Sequence, residues 1–376
     1  MTPTSSRSRR RLAAWSVPVV VIATLSAAVT AANLLPTAAS ASTHPNLPVR
    51  SAAQLLAAVQ TADVKALSGT IVETARLGLP SLPGADNAAA LRWQTLVAGT
   101  HTARIWLDGP DRQRLALLGT LAESDVVHNG RDLWTYASNT QKVGHTVLPA
   151  ETPRAAKAAA VSPNDLTAYT PQGAAAEALK AIDPSTVVTV DRTARVAGQP
   201  AYTLVLTPRD ARSTVRKVLI AIDAKRSVPL RVQVFGVGSA PAFETAFTDV
   251  SFSRPASSVF RFTAPRGATV TNDLLGAHVK GDKTTKTAGP AHRATPVVLG
   301  TGWTSVLALP AASSSGAPGG SAGAASLLAR LTTTLPNGDK LLRSALVNVL
   351  TTHDGRTFVG AVTPSVLQQA AAGQLR

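Results

Sequence analysis

The chain has 376 residues, 45% of them hydrophobic, and a formal net charge of +16. This is enough apolar material for a folded core, and the length suggests about two domains. The sequence contains no cysteine, which excludes disulfide bonds and a lipoprotein anchored through an acylated cysteine.

Residues 1–41 have the organisation of a secretory signal peptide. Residues 1–11 contain four arginines and no acidic residue, and residues 12–35 are largely apolar. Ala39-Ser40-Ala41 then supplies the small residues typical of a cleavage site. The pattern predicts an exported protein, either in the cell envelope or secreted. Because the apolar stretch is long, a retained membrane anchor is the alternative to cleavage.

The basic charge restricts the partners that the chain could have. An exported basic protein is suited to an anionic membrane surface or cell wall. A nucleic-acid partner is not predicted, because the chain is exported and its basic residues are scattered outside the leader. Solubility alone is the other explanation of the charge.

Two helices with clear start signals are predicted within residues 42–270. Ser51 and Gln54 form a capping box ahead of apolar residues at helical spacing, which predicts a helix over residues 52–63. Thr170-Pro171 is a helix start with proline at the first helical position, which predicts a second helix over residues 174–182. Both helices are short and each is followed by a run of strands.

Strand patterns dominate the same region. Before residue 198, strands are predicted over residues 67–75, 99–108, 111–118, 124–128, 131–136, 141–148 and 187–196. Asn129-Gly130 is typical of a tight hairpin turn between two of them. The segments between the elements are predicted as a loop over residues 79–90, a helix over residues 88–96 and an alanine-rich link over residues 149–162.

Residues 198–270 show the most regular alternation in the chain. Apolar residues recur at every second position around Leu204, Ile220 and Val232, which predicts consecutive antiparallel strands with one buried face. An antiparallel sheet of this length with so few helices must curl. The predicted fold class is therefore α+β: a curled antiparallel sheet, or unclosed β-barrel, with a helical lid.

Composition changes after residue 270. Residues 271–296 are polar and predict a linker, and residues 297–376 predict a small C-terminal α+β unit. Within that unit we expect a strand over residues 296–309 around Trp303, and a flexible glycine- and serine-rich insertion over residues 311–325. The remaining expected elements are a short helix over residues 326–331, a hairpin of residues 341–352 and 356–362, and a last helix after Thr363-Pro364.

The sequence carries no recognisable catalytic or metal-binding motif. It lacks H-E-x-x-H, G-x-S-x-G and a phosphate-binding Walker loop, and its histidines are scattered. We therefore predict no enzyme activity, no metal site and no cofactor.

The remaining feature is the buried face of the sheet, which forms either a packed core or an apolar cavity. Burying an acyl chain is worth ~0.8 kcal/mol per methylene, so such a cavity binds without leaving a motif. The candidate cavity residues are Trp106, Leu115, Leu117, Trp134, Leu204, Leu206, Ile220, Ile222, Val232, Val234 and Phe247. For Trp106 and Trp134, packing within the sheet is the alternative role. Which set of alternating residues faces inward stays open, because a shift of one residue in the strand register exchanges the whole set for its neighbours.

Three segments carry a resemblance to a known family. Residues 202–208 resemble the Y-x-L-x-L-x-P strand of the LolA lipoprotein carriers. Residues 260–270 resemble the F-x-F-x-x-P-x-G-x-x-V motif that closes the LolA sequences. Residues 133–136 are similar to their L-W-x-Y strand. The order and spacing fit over residues 51–270. The related RseB/MucB family of periplasmic regulators adds a smaller C-terminal domain. Residues 357–364 resemble the end of that domain.

The resemblance implies an unclosed β-barrel with a helical lid and a cavity for acyl chains. We accordingly predict an exported, non-enzymatic protein that binds lipid acyl chains or lipoproteins. The alternative is an RseB-like envelope-stress regulator that binds an anti-sigma factor. Residues 272–376 depart from the single-domain LolA carriers, and the insertion at residues 311–325 departs from RseB.

Overall fold

Two β-sheets account for most of the described chain. The computed structural model describes residues 45–79, 98–119, 122–148, 166–272, 296–311 and 331–375. Several predicted segments lie wholly or largely outside these residues. They are the signal peptide at 1–41, the loop at 79–90, the helix at 88–96, the link at 149–162, the linker at 271–296, the insertion at 311–325 and the helix at 326–331.

The larger sheet has twelve strands in the order β12-β6-β5-β4-β3-β2-β1-β11-β10-β9-β8-β7. The strands are β1 (Ala66–Ala75), β2 (Gly99–Asp108), β3 (Arg112–Leu118), β4 (Glu123–Asn129), β5 (Asp132–Ala137), β6 (Lys142–Val147), β7 (Thr186–Val196), β8 (Gln199–Pro208), β9 (Lys217–Asp223), β10 (Pro229–Phe235), β11 (Phe243–Ser251) and β12 (Thr269–Asn272). The order has two ends, β12 and β7, so the sheet is unclosed. All neighbours are antiparallel except β12, which runs parallel to β6.

Two helices cover one face of this sheet, which we call the inner face. α1 (Ala52–Gln60) begins at Ser51, whose side chain accepts a hydrogen bond from Gln54 N while Gln54 Oε1 accepts one from Ser51 N. α2 (Pro171–Lys180) begins after the N-cap Thr170. Together with the sheet, these helices confirm the predicted α+β class of an unclosed curled sheet with a helical lid.

Aliphatic residues of β8, β9 and β10 share the inner face beneath the helices. Leu204 lies opposite Ile220, and Ile220 opposite Val232. Leu55 of α1 and Ala175 of α2 are both fully buried against this group. Burial of so many aliphatic side chains, at roughly 1.5–3 kcal/mol each, holds the helices on the sheet.

The sheet contains irregular positions where two strands bend. The β1–β11 register shifts between Thr70 and Ile71. Nearby, a Cβ atom on Gly69 would lie 2.4 Å from Asp249 O and 2.9 Å from a ring carbon of Phe247, so only glycine fits there without movement. The β7–β8 register shifts between Asp191 and Ala194, which gives the end strand β7 a bulge.

The smaller sheet has six strands in the order β13-β14-β18-β17-β16-β15. They are β13 (Val297–Leu299), β14 (Val306–Leu309), β15 (Thr332–Thr334), β16 (Lys340–Leu342), β17 (Asn348–Thr351) and β18 (Thr357–Gly360). α3 (Pro364–Ala371) packs on it through Val366, Leu367 and Ala370. None of the described helices has the length and apolar character needed to cross a membrane.

Two predictions for the C-terminal segment are wrong in detail. Trp303 lies in a 3-10 turn, Gly302–Thr304, and not in a strand. Gly300 and Gly302 have φ values of 74° and 55°, a conformation that interrupts an extended strand. The stretch 341–352 holds the end of β16 and all of β17, which pair with each other as separate strands.

Backbone hydrogen bonds connect the two sheets. Thr214 N donates to Ala361 O at 2.9 Å, and Ala345 N donates to Leu77 O at 2.9 Å. A Cβ atom on Gly236 would lie 2.3 Å from Ala345 O, so the two backbones approach closely. Residues His44–Arg376 form one compact unit, and the predicted domain boundaries at residues 270 and 297 stay predictions.

Candidate functional site

A cavity of about 480 Å³ lies between α1, α2 and the inner face of the large sheet. Its volume falls in the range of small-molecule sites in proteins, ~300–1,000 Å³. The lining residues come from both helices, from the segment between α1 and β1, from the ends of β1 and β2, from Thr167 ahead of α2, and from the turn before β10 and its first residue. They are Val59, Gln60, Ala62, Val64, Leu67, Leu107, Thr167, Gln172, Ala176, Leu179, Lys180, Val228 and Pro229.

The cavity lining is mainly aliphatic, with one unsatisfied polar atom. Leu67 and Leu107 lie opposite each other on β1 and β2 and form part of its floor. Gln172 Oε1, on α2, is buried and has no hydrogen-bond partner among the described residues. A buried amide oxygen without a donor is costly, so a ligand that brings an N–H or O–H group would relieve that cost.

Most of the predicted site residues lie on the inner face but outside this cavity. Leu204, Leu206, Ile220, Ile222 and Val232 are buried together beneath the two helices, with Val234 packed beside them. Leu115, Leu117 and Phe247 lie on the same face in the other half of the sheet, where Leu115 and Phe247 belong to a second core cluster. The helices fill the space over the first group, which makes that region a packed core. Whether any of these residues contacts a ligand stays a prediction.

Trp106 and Trp134 point to the opposite, outer face of the sheet. Each tryptophan is adjacent in sequence to a leucine or isoleucine on the inner face. Because successive side chains of a strand point to opposite faces, the tryptophan ring lies on the outer face. The Trp106 ring lies 5.1 Å from the guanidinium carbon of Arg104. Trp134 stacks on His145 at 3.8 Å and on Phe262 at 5.3 Å. Neither tryptophan lines the cavity, and packing on the sheet, the alternative role, describes their position.

The sequence patterns did not single out the residues that do line the cavity. Leu67 and Leu107 belong to predicted strands, and their alternation could have marked them as inward-facing. Leu179 is on a predicted helix, but its approach to Pro229 depends on how α2 lies against β10. That packing is non-local and leaves no local signal in the sequence.

A second, polar pocket of about 540 Å³ opens beside the apolar cavity and shares Val64 with it. Its carboxylate Asp108 pairs with Arg112 at 2.6 Å and with Arg254 at 2.9 Å. Burial alone would raise the pKa of Asp108, but hydrogen bonds and charge from Arg254 and Arg112 outweigh it and lower the pKa. Asp108 is thus ionised and neutralised by two arginines.

One carboxyl group on the inner face is perturbed by its surroundings. Burial raises the pKa of Glu73, on β1, from 4.5 to about 7. It lies six residues along the strand from Leu67, about 20 Å from the cavity floor at the rise of an extended strand. Within the described residues, no group of three histidine or acidic side chains could hold a metal ion.

Comparisons with known proteins give structural similarities only. No protein-family model matches the sequence, and no curated protein sequence matches it. Among solved structures, a chain of the Pseudomonas aeruginosa MucA/MucB complex is 17% identical and has a TM-score of 0.41, covering 85% of this chain and 96% of that one.

Two further structures match over shorter stretches. A conserved protein from Thermus thermophilus is 12% identical with a TM-score of 0.32, covering 59% of this chain and 99% of its own. A LolA superfamily protein from Nitrosomonas europaea is 11% identical with a TM-score of 0.23, covering 57% of this chain and 99% of its own. TM-scores below 0.5 do not define a shared function, so the function has to be argued from this chain's own residues.

Proposed function

We propose that this protein is an exported, non-enzymatic binding protein that holds an acyl chain of a lipid or lipoprotein. The single observation that carries the proposal is the aliphatic cavity between α1, α2 and the inner face. Burial of about ten methylenes contributes roughly 8 kcal/mol before the costs of binding are subtracted. That is enough for useful affinity without many polar contacts.

Gln172 adds a preference within this class of ligand. Gln172 lines the cavity, and its buried Oε1 has no hydrogen-bond donor among the described residues. An acyl chain linked through an amide N–H, or one that carries a hydroxyl, satisfies this oxygen. A plain hydrocarbon leaves it unsatisfied, at a cost of about 1–3 kcal/mol.

Lipid extraction tests the proposal directly. The full chain, purified from its own host, is extracted with organic solvent and examined by mass spectrometry, and the stripped protein is titrated with a fluorescent fatty acid. We expect co-purified lipid and saturable uptake of the probe. A protein that is free of lipid and also fails to take up the probe would contradict the proposal.

A pair of helix variants tests the location of the site. Ala176 is exposed on α2 and lines the cavity, so the Ala176→Trp side chain would fill it. Ala57 is equally exposed on α1 and does not line it, which makes Ala57→Trp the matched control. We expect Ala176→Trp to weaken probe binding at least 10-fold and Ala57→Trp to leave it unchanged. Equal binding by all three proteins would place the ligand elsewhere.

The second candidate function is regulatory binding of a membrane-bound anti-sigma factor. The observation that favours a protein partner is β13, which has one neighbouring strand in the described part of the chain. Val297 and Val298 on this strand are 53% and 63% exposed. An apolar strand at a sheet edge is suited to pairing with another chain.

A charged substitution at this edge separates the two functions. Removing the whole C-terminal segment would also break its hydrogen bonds to Leu77 and Thr214, so a point variant is the sharper test. If the chain is a regulator, it captures a single-pass membrane protein, and Val298→Lys abolishes the capture. Val237→Lys, at another highly exposed valine, is the control. Capture that survives Val298→Lys argues against this edge as the regulatory surface.

A further inference from the structure

The polar pocket beside the apolar cavity has the charge and position of a head-group site. Val64 lines both pockets, and Lys65 follows it on the polar side. Arg226 and Arg254 also line the polar pocket. A chain lying in the apolar cavity would therefore end next to three cationic side chains.

Arg226 is held at this position by its own turn. The Asp223 carboxylate is 1% exposed and accepts hydrogen bonds from the backbone N–H groups of Lys225 and Arg226. Ser227 has a φ of 60°, the left-handed conformation that closes the turn. The Arg226 guanidinium carbon then lies 4.1 Å from the centre of the Phe252 ring. The turn and the ring together fix the cation toward the pocket.

The charges of the pocket are not balanced internally. Asp108 is already shared between Arg112 and Arg254. In the described part of the chain, Lys65 and Arg226 form no ion pair, and the other carboxylate of the lining, Asp63, is exposed. An anion entering the pocket would meet two unpaired cations and the free N–H groups of Arg254, an arrangement that favours phosphate.

We propose that the polar pocket binds the phosphate head group of an anionic amphiphile whose acyl chain occupies the adjoining cavity. This inference rests on the proposed function, because it requires a chain in the apolar cavity. It narrows the ligand from any acyl chain to an acyl chain that carries a negatively charged phosphate near its end.

Two amphiphiles with the same chain test the proposal. Dodecyl phosphate and dodecyl glucoside are titrated into the full chain below their micelle concentrations, by displacement of a fluorescent fatty acid. The measured quantity is the ratio of the two dissociation constants. The double variant Lys65→Gln/Arg226→Gln is compared with Arg216→Gln/Lys217→Gln, which removes the same charges at the opposite end of β9.

We expect wild type to favour dodecyl phosphate, and the Lys65/Arg226 variant to lose about 10-fold or more of that preference. Dodecyl glucoside should bind equally to every variant, which also shows that each is folded. The preference should fall as salt is raised, because the cations are partly exposed. The Arg216/Lys217 control should keep the wild-type ratio.

Other results would overturn the proposal in distinguishable ways. If both amphiphiles bind and the ratio is the same in all proteins, the head-group site is wrong while the acyl-binding function stands. If neither amphiphile binds, the proposed function fails and the head-group site falls with it. If inorganic phosphate alone competes as strongly as dodecyl phosphate, the pocket takes free phosphate and the amphiphile assignment is wrong.

Discussion

Glu73 on β1 lies directly opposite Thr245 on β11, on the inner face of the large sheet. Glu73 Oε1 and Thr245 Oγ1 are both buried, and neither has a hydrogen-bond partner among the described residues. Burial raises the pKa of Glu73 from 4.5 to about 7. The carboxyl group is consequently protonated in the folded protein over a pH range where it is ionised in the unfolded chain.

This relationship predicts that stability falls as the pH rises from about 4.5 through 7. In that window the folded state holds a proton that the unfolded state has lost, so the free energy of unfolding decreases with pH. Above pH 7 the burial of the charged group costs up to about 3 kcal/mol. Glu73→Gln, which cannot ionise, should therefore be more stable than wild type at pH 8 and similar to it at pH 4.5.

Urea unfolding at pH 4.5, 6 and 8 measures the effect. Glu123→Gln is the control, because Glu123 is exposed at the start of β4 and its replacement should change stability by less than about 0.5 kcal/mol at each pH. A Glu73→Gln variant whose stability parallels wild type at all three values would show that Glu73 is not the titrating group.

Gly69→Ala should destabilise the protein by about 1–3 kcal/mol, the usual cost of overpacking. The added Cβ would meet the backbone oxygen of Asp249 at 2.4 Å, and a backbone atom cannot rotate away. Ser68→Ala, at the adjacent residue on the other face of β1, is the control. Urea unfolding of both variants tests this. A loss below 0.5 kcal/mol in Gly69→Ala would mean that β11 moves aside easily.

The indole of Trp303 couples the turn after β13 to the large sheet. Its Nε1 donates a hydrogen bond of 2.8 Å to Thr186 Oγ1, at the start of β7. A double-mutant cycle with Trp303→Phe and Thr186→Val should give a coupling free energy of about 1 kcal/mol. Thermal or urea unfolding of the four proteins provides the measurement, and a coupling near zero would remove this bond from the contacts that hold the two sheets together.

Arg114 and Asp125 form a partly buried ion pair on the outer face, joined by two hydrogen bonds of 3.1 Å. Burial raises the pKa of Asp125, against the opposing charge and hydrogen bonds of Arg114. Arg114→Leu should therefore cost about 3 kcal/mol at pH 7. The loss should shrink as the pH is lowered toward 4, because protonation removes the charge of the unpaired carboxyl. Arg114→Leu/Asp125→Leu should recover most of the stability, and a double variant as unstable as the single one would contradict the charge explanation.

Local sequence signals predicted the elements that local interactions determine. The capping box at Ser51 and Gln54 and the N-cap at Thr170 both form, and each starts its helix where the sequence indicates. Asn129-Gly130 marks a hairpin turn correctly, although Asn129 pairs with Asp132 and leaves Gly130 and Arg131 as the loop. Alternation indicated strands with one buried face around Leu204 and Ile220 but left open which alternate set faces inward, and the structure places both residues in the buried set.

Contacts between distant segments were not predictable in the same way. β12 joins the edge of β6 in parallel through only four residues, too short a segment for a pattern to reveal its partner. The cavity lies at one end of the inner face because α2 meets β10 there. That contact depends on the shapes and volumes of side chains across the whole sheet. The stacking of Trp134 on Phe262 was not predictable either, because Phe262 belongs to the segment after β11, far from Trp134 in the sequence.

The bulge in β7 has a consequence for how copies of this protein behave at high concentration. A sheet that does not close exposes a strand to which an unrelated chain could add. Here Arg192 N donates to the side chain of its neighbour Asp191, and Thr193 Oγ1 donates to Pro45 O. The register shift and these local hydrogen bonds interrupt the row of backbone groups at this border around Arg192 and Thr193. The bulge therefore shortens the regular stretch of β7 to which another chain could add.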